Sequence, residues 1–315
     1  MNTLEDVITI ELPVSETLKI KRNRFYPDNA TSLEGLKRAS IVTGTHGDEL
    51  EGQYVLFLLS QWLRQNSHTI RGIIDLYPAL NALGIDSITR SVPFYNVDLN
   101  RVFPGSKNDF LPAQIAEGIV EVIAGSALAI DIHSSNIFLR EIPQVRMSVE
   151  YAPQLLPLAN YMGIDFVWIH DAVTVLESTF AHAMNTRGTK TLVVEMGVGM
   201  RVTQSYGHDL LEGILNVLAF EGLILRPLKA RKLPITSEKG EVFYLNANAS
   251  GLFVPALEHS QRVKAGEKIG QIVSALTGEV LEEIFSPANG LLFTLREYPI
   301  VYEGSLIARI FGGQS

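Results

Sequence analysis

The sequence predicts an α/β sandwich followed by a small all-β domain. Nearly continuous apolar segments such as "SALAIDIH" (126–133) are typical of buried strands in a parallel or mixed sheet. Segments with apolar residues at helical spacing alternate with these strands, and this alternation indicates a layered α/β fold. Beyond residue 230, short β-like segments are punctuated by glycine and proline and show few helix signals, which predicts the second, all-β part.

The predicted elements follow one another along the chain. Residues 1–38 alternate apolar and polar residues in places and are predicted as an edge β-region. A helix is predicted to begin near Asp48, because acidic residues there precede an apolar run at helical spacing. The other predicted elements are a strand at 39–44, a strand running into a loop at 70–84, a strand at 126–133, a helix at 154–163, a strand at 189–197 and a helix at 207–224.

The segment "RPLKARKLP" (226–234) is basic, contains prolines and is predicted to be a linker. It places a large α/β domain at 1–231, with the β-region 1–38 at its start, and a small β-domain at 232–315. A chain of 315 residues is long enough for this arrangement.

Composition limits the classes of function. Hydrophobic residues make up 46% of the chain and charged residues 19%, as in soluble globular proteins. A formal net charge of −8 argues against a nucleic-acid partner, which would need a basic face. With no cysteine, disulfides and thiolate metal sites are excluded. We expect no signal peptide and no membrane partner, since the longest apolar helical run is too short to span a bilayer, and we expect a cytoplasmic enzyme.

Three predicted apolar strands end in groups that bind metals or transfer protons: His46, His133 and Glu195. Glu49 follows His46 by three residues, so a strand-to-helix turn can aim both at one ion. Sites in open α/β sheets collect at the carboxyl ends of strands, and a catalytic zinc has three protein ligands and one open position. Each residue also has a structural interpretation: Glu49 favours a helix N-terminus, His133 is hydrogen-bonded, and Glu195 pairs with an arginine.

A further polar motif is "NVDLNRVFPG" (96–105). Arg101 can hold a carboxylate with two parallel hydrogen bonds, and Asn100 offers an amide beside it. The alternative is a structural ion pair between Asp98 and Arg101.

These motifs in this order, His46-x-x-Glu49, "DLNR" at 98–101, "DIHSS" around His133 and "VVEMG" around Glu195, resemble the succinylglutamate desuccinylase/aspartoacylase family of the zinc carboxypeptidase superfamily. The resemblance implies a mixed-sheet α/β/α zinc-carboxypeptidase-like catalytic domain at 1–231 and a small C-terminal all-β barrel-sandwich-like domain at 232–315.

The resemblance also implies a role for each site residue. His46, Glu49 and His133 would bind one zinc ion per chain. Glu195 would be the general base that takes a proton from zinc-bound water and later returns it to the leaving amine. Asn100 and Arg101 would hold a substrate carboxylate, and Arg90 is the candidate for polarising the scissile carbonyl.

The implied function is zinc-dependent cleavage of the amide bond of a small N-acyl amino acid or related compound that carries a carboxylate. One alternative is a carboxypeptidase that acts on short peptides with the same zinc and the same Arg101. Another is a non-catalytic binding module on the same fold. The presence of the complete ligand set and of Glu195 argues against this alternative. The family resemblance also raises the expectation of a homo-oligomer.

The remaining candidates have weaker signals. Asp131 lies two residues before His133 on the same side of a strand, and either orients that histidine or is a buried structural partner. Arg187 is predicted to be a surface-loop residue, and His68, His170, His182, His208 and His259 are predicted to be structural or surface residues. The C-terminal region resembles the lipoyl/biotinyl barrel-sandwich, but its hairpin segment "SALTGEVLEE" (274–283) has no lysine. We therefore expect a structural β-domain, and the family resemblance implies that it narrows access to the zinc.

Overall fold

Two β-sheets and six α-helices form the regular structure of residues 1–170 and 177–313, the part of the chain that this computed structural model describes. The helices are α1 Glu51–Gln65, α2 Ala82–Ser87, α3 Leu111–Ile123, α4 Ala152–Met162, α5 Phe180–Asn185 and α6 Gln204–Phe220. The strands are β1 Asn2–Glu11, β2 Thr17–Phe25, β3 Arg38–Thr43, β4 Ile73–Tyr77, β5 Leu128–Ser134, β6 Leu139–Ser148, β7 Phe166–His170, β8 Lys190–Gly197, β9 Ile235–Thr236, β10 Glu241–Asn246, β11 Gly251–Pro255, β12 Arg262–Val263, β13 Lys268–Val273, β14 Val280–Phe285, β15 Gly290–Arg296, β16 Ile300–Val301 and β17 Leu306–Gly312.

The larger sheet is mixed. Its strands run in the order β1-β2-β4-β3-β5-β8-β6-β15-β17-β10, with β1 at one edge. The central strands β4, β3, β5 and β8 pair in parallel, whereas β2 is antiparallel to β4 and β6 is antiparallel to β8. The prediction of a mixed α/β sheet is confirmed, and the N-terminal β-region lies at the sheet edge.

Helices cover both faces of this sheet. Helices α1, α4 and α6 lie on one face, where Leu59, Leu63 and Ile214 are fully buried. Helices α3 and α5 lie on the other face, where Ile119 and Phe180 are fully buried. Leu59 and Leu63 are four residues apart, so they point the same way from α1 into the core, and burying each such side chain contributes about 1.5–3 kcal/mol.

Several predicted elements need correction. Helix α1 begins at Glu51 rather than near Asp48, because residues 46–50 form a turn in which the backbone N–H of Glu49 donates to the carbonyl of His46. The loop predicted after β4 contains helix α2, which Asn81 caps by accepting a hydrogen bond from the N–H of Gly84. Helix α6 ends at Phe220 instead of residue 224. Elements β6, β7, α3 and α5 had no predicted counterpart.

The C-terminal region is all-β, as predicted, and it is joined to the α/β part. Strands β14, β13, β11 and β16 form a second sheet. Strand β15 instead pairs with β6, opposing Thr294 to Glu141, and thereby extends the larger sheet through β17 to β10. Phe293 and Phe311 pack against Phe166 of β7 in a buried cluster. The boundary at 231/232 and the barrel-sandwich form stay predictions.

Among the helices of residues 1–170 and 177–313, none combines the length and the apolar character needed to cross a membrane.

Candidate metal centre and active-site cavity

A cavity of about 770 Å³ opens at the carboxyl ends of β3, β5 and β8. Its walls include His46, His133 and Glu195, which were predicted at strand ends, and Glu49, which was predicted in the turn after His46. A volume of this size is typical of sites for small molecules. The parallel central strands bring these residues together because their carboxyl ends share one edge of the sheet.

The turn after β3 positions His46 and Glu49. Gly47 lets this turn approach α2, since a Cβ at that position would lie 1.9 Å from the carbonyl carbon of Gly84. Both functional side chains are only 3% exposed. The Nδ1 atom of His46 lies 2.7 Å from Oε1 of Glu49.

Strand β5 brings His133 to the same point. Its Nδ1 atom lies 2.9 Å from Oε2 of Glu49, and this oxygen also accepts a hydrogen bond of 3.1 Å from the backbone N–H of Ser134. The ring centroids of His46 and His133 are 5.2 Å apart. Two imidazoles therefore face one buried carboxylate.

Two further carboxylates hold the far sides of these imidazoles. The Nε2 atom of His46 lies 2.8 Å from Oδ1 of Asp98, and Nε2 of His133 lies 2.9 Å from Oδ2 of Asp131. A carboxylate at Nε2 favours the tautomer whose Nδ1 carries a lone pair. Asp131 therefore contacts the histidine that the sequence suggested it orients.

The charges of the cluster are mutually compensated. Burial works against ionisation of Glu49, but His46 and His133 outweigh it and hold the pKa of Glu49 below its usual range. Burial likewise opposes a charge on each imidazole, yet the adjacent carboxylates raise the pKa of both histidines. This arrangement favours positive charge next to Glu49, which protons or a cation can supply.

The donor set fits a divalent metal ion. One ligand atom from each of His46, Glu49 and His133 lies within 4.8 Å of the others, and all three residues are buried. Among the described residues 1–170 and 177–313, the buried Nδ1 of His46 has only the Oε1 atom of Glu49 close to it, at 2.7 Å, and the angles of this contact are not those of a hydrogen bond. Two imidazole nitrogens with one carboxylate are a common zinc ligand set.

Glu195 stands beside this cluster on β8. It is in register with His133 of β5, so the two side chains leave neighbouring strands on the same face of the sheet. Burial raises the pKa of Glu195 to about 7, and the negative charges of Glu49 and Glu141 add to this rise. The guanidinium of Arg146 opposes the rise, since its Nη1 lies 3.2 Å from Oε2 of Glu195. A carboxylate with a pKa near 7 is suited to taking up and releasing a proton at neutral pH.

Arg90 also reaches the cluster. Its Nη1 lies 2.7 Å from Oε1 of Glu49, and its Nη2 lies 3.3 Å from Oδ2 of Asp98. Asp98 is thus engaged by His46 and Arg90 rather than by Arg101. The alternative of a structural pair between Asp98 and Arg101 is therefore absent from the structure.

Asn100 and Arg101 lie on the cavity wall. The Oδ1 atom of Asn100 accepts a hydrogen bond from the N–H of Phe180, which leaves its amide nitrogen for other contacts. Arg101 is exposed, and Nη1 donates to the carbonyl of Asn100. Within residues 1–170 and 177–313, Arg101 forms no ion pair.

Some residues of the cavity wall were not singled out from the sequence. Glu141, Arg146 and Arg309 line the cavity without having been predicted there. His170 and His182 also line it, although they were expected to be structural or surface residues. Arg187 is an exposed residue whose guanidinium donates to the carbonyl of Ala183, in line with its prediction. No motif marks Glu141 or Arg146, and the strand that carries them mixes polar and apolar residues.

The fold and site together define a protein with a candidate His-Glu-His metal centre on the carboxyl edge of a mixed α/β sheet. A model of the succinylglutamate desuccinylase/aspartoacylase catalytic domain matches residues 36–221, more than half of the chain. The chain therefore belongs to the succinylglutamate desuccinylase/aspartoacylase family.

Curated relatives match over a shorter stretch. Mouse (Mus musculus) aspartoacylase is 38% identical over 76 residues, which cover 24% of this chain and 22% of the mouse protein. Aspartoacylase of Xenopus tropicalis is 35% identical over 71 residues, covering 22% of this chain and 21% of that protein. The matches thus span less than a quarter of the length of these relatives.

Solved structures share the fold over almost the entire chain. A succinylglutamate desuccinylase/aspartoacylase from Rhodobacter sphaeroides has a TM-score of 0.81 at 22% identity, with 99% of this chain and 95% of that chain covered. The product-bound ectoine utilization protein from Ruegeria pomeroyi has a TM-score of 0.83 at 17% identity, with the same coverage. These likenesses include the C-terminal β-region.

Proposed function

We propose that the protein is a zinc-dependent hydrolase that cleaves the amide bond of a small N-acyl amino acid, or of a related compound carrying a carboxylate. The observation that carries this proposal is the convergence of His46, Glu49 and His133 beside Glu195 in one cavity. Family membership supports it, since related proteins carry the names succinylglutamate desuccinylase and aspartoacylase.

The Nδ1 atoms of His46 and His133 and the carboxylate of Glu49 would hold one zinc ion. Three protein ligands leave a coordination position open. When bound, zinc lowers the pKa of water to about 7 and polarises a carbonyl group. Asp98 and Asp131 keep the two imidazoles in the orientation that this ligand set needs.

Glu195 would act as the proton carrier. In its ionised form it accepts a proton from the attacking water, and in its protonated form it donates that proton to the leaving amine nitrogen. Its register with His133 in neighbouring strands supports this role. The pKa of about 7 makes both forms accessible near neutral pH.

Two arginines would act on the substrate. Arg90 already reaches Oε1 of Glu49, so its guanidinium is close enough to the cluster to donate hydrogen bonds to the oxygen of the scissile carbonyl. Arg101, exposed and without an acidic partner within residues 1–170 and 177–313, would bind the substrate carboxylate together with the amide nitrogen of Asn100. A fixed carboxylate orients the amide bond towards Glu195.

The test begins with the metal content of purified wild-type protein beside His46→Ala, with His68→Ala as the control. His68 lies in a short 3-10 turn outside the cavity. We expect about one zinc per chain in the wild type and the control, and loss of zinc in His46→Ala. Wild-type protein that takes up no divalent metal after reconstitution with zinc would exclude the hydrolase and leave a binding module on the same fold.

A substrate screen then distinguishes a deacylase of N-acyl amino acids from a carboxypeptidase. Zinc-loaded protein is incubated with N-acyl amino acids of different acyl length and, separately, with dipeptides, and the products are identified. Release of a free carboxylic acid and an amino acid from the acyl compounds supports the proposal. Cleavage of the dipeptides alone would identify a carboxypeptidase that uses the same Arg101.

A further inference from the structure

The C-terminal β-region contributes a partly buried arginine to the cavity. Arg309 lies on β17, and its Nη1 donates a hydrogen bond of 2.8 Å to Oε1 of Glu141 on β6. Glu141 is 2% exposed. A charge this well buried requires a partner of opposite charge, because its desolvation is otherwise strongly unfavourable.

The other oxygen of Glu141 holds a second arginine. Oε2 accepts a hydrogen bond of 2.6 Å from Nη2 of Arg146, and Nη1 of Arg146 lies 3.2 Å from Oε2 of Glu195. Four side chains of alternating charge thus run from the C-terminal region to the proposed base, in the order Arg309, Glu141, Arg146, Glu195. We refer to these four residues as the arginine relay.

An indole ring fixes both arginines of the relay. The guanidinium carbons of Arg146 and Arg309 lie 5.1 and 5.3 Å from the ring centroid of Trp168. Cation–π contact restrains the planes of the two guanidinium groups as well as their positions. Glu141 and Trp168 therefore hold Arg146 from two sides, and Arg146 in turn limits where the carboxylate of Glu195 can lie.

Stabilisation alone does not explain the relay. Buried ion pairs are often no more stabilising than apolar side chains of similar volume. The interface between the two regions already contains the aromatic cluster of Phe166, Phe293 and Phe311 and the ion pair of Arg140 with Glu297. What the relay adds is a path of direct contacts to Glu195.

We propose that Arg309 is a positioning residue for Glu195, acting through Glu141 and Arg146, so that the C-terminal β-region helps to set the geometry of proton transfer. This inference rests on the proposed role of Glu195 as the base. Arg309 acts on the orientation of that carboxylate and makes no contact with substrate.

The test compares Arg309→Met with Arg140→Met. Both variants remove an ion pair between β6 and the C-terminal region, but only Arg309 leads to Glu195. We expect Arg309→Met to lower kcat by about tenfold to hundredfold, the scale of a misplaced catalytic group. KM and zinc content should stay within about twofold of wild type, and Arg140→Met should keep wild-type kcat. Arg309→Lys should recover part of the loss, since an ammonium can still bind Glu141.

Two kinetic results would overturn the inference. One is a kcat within twofold of wild type in Arg309→Met; the other is a rise in KM at unchanged kcat, which would make Arg309 a substrate-binding residue. If Arg309→Met does not fold, Arg309→Lys serves alone, with a loss of kcat that exceeds that of Arg140→Met as the expected result.

Crystal structures of wild type, Arg309→Met and Arg140→Met provide a readout that does not need activity. We expect displaced side chains at Arg146 and Glu195 in Arg309→Met only, and an unmoved Glu195 would refute the positioning role. Absence of any hydrolysis by zinc-loaded wild type refutes the proposed function instead, so the two failures are distinguishable.

Discussion

The carboxylate of Asp131 lies 2.9 Å from Nε2 of His133, on the side of the ring opposite to Glu49. Asp131 is 1% exposed, so this contact forms away from water, where a hydrogen bond to a charged group is strong. The contact fixes both the orientation of the ring and the tautomer with a free lone pair at Nδ1.

Asp131→Asn is expected to weaken zinc binding by about tenfold to hundredfold, because an amide holds the imidazole tautomer less firmly than a carboxylate does. Competition with a chelator measures the zinc affinity. Asp6→Asn is the control, since Asp6 forms an exposed ion pair with Lys19 far from the cavity. An affinity within twofold of wild type would show that Asp131 is a buried structural partner only.

Glu195→Gln is expected to keep zinc and to lose turnover by a factor of about 10² to 10⁴, the usual contribution of a general base. The ligand atoms are untouched, whereas the amide cannot accept the proton. Elemental analysis and steady-state kinetics measure the two effects, with the exposed Glu297→Gln as the control. Full activity in Glu195→Gln would remove Glu195 from the mechanism.

Arg101→Ala is expected to raise KM about 10- to 100-fold for substrates with a carboxylate, with a smaller change in kcat, because a hydrogen-bonded charge contributes about 1.5–3 kcal/mol. For a substrate analogue whose carboxylate is amidated, KM should be the same in Arg101→Ala and in wild type. Arg201→Ala is the matched control, since Arg201 is also exposed and also donates to the preceding carbonyl. An unchanged KM would make Arg101 a structural residue.

The pH profile of kcat/KM should have an acidic limb set by Glu195. The carboxylate must be unprotonated to accept a proton, and burial raises its pKa to about 7, so activity should decrease as the pH falls through this pKa. The positive charge of bound zinc lowers the same pKa, so the limb of the zinc-loaded enzyme is expected at or below pH 7. Rates measured from pH 5 to 8 check this, and a flat profile would argue against Glu195 as the base.

The residues that the sequence predicted best are those with local signals. His46 and Glu49 are three residues apart in one turn, and His133 and Glu195 end apolar runs that are easily recognised as strands. Parallel pairing of β3, β5 and β8 is then enough to bring the carboxyl ends of these strands together. The structure confirms that His46, Glu49 and His133 cluster, whereas their roles and that of Arg90 stay predictions.

Strand β6 shows why other parts were missed. Half of its residues are polar or charged, and Glu141 and Arg146 among them line the cavity, so this largely buried strand has no continuous apolar signature. One of the two arginine partners of Glu141 is Arg309, which is distant in sequence and is brought to it by the pairing of β15 with β6 and β17. Such contacts depend on register between distant strands. The cytoplasmic location and the homo-oligomer also stay predictions.

The pairing of β15 with β6 bears on how the chain can be shortened. A protein truncated after residue 231 would lack β15. The main-chain N–H and C=O groups of residues 139–141 would then lose the hydrogen bonds that β15 supplies. A bare strand edge of this kind recruits strands from other molecules and promotes aggregation. An unprotected sheet edge is therefore one reason to expect insoluble product from such a truncated gene, beside the loss of Phe293 and Phe311 from the cluster that buries Phe166.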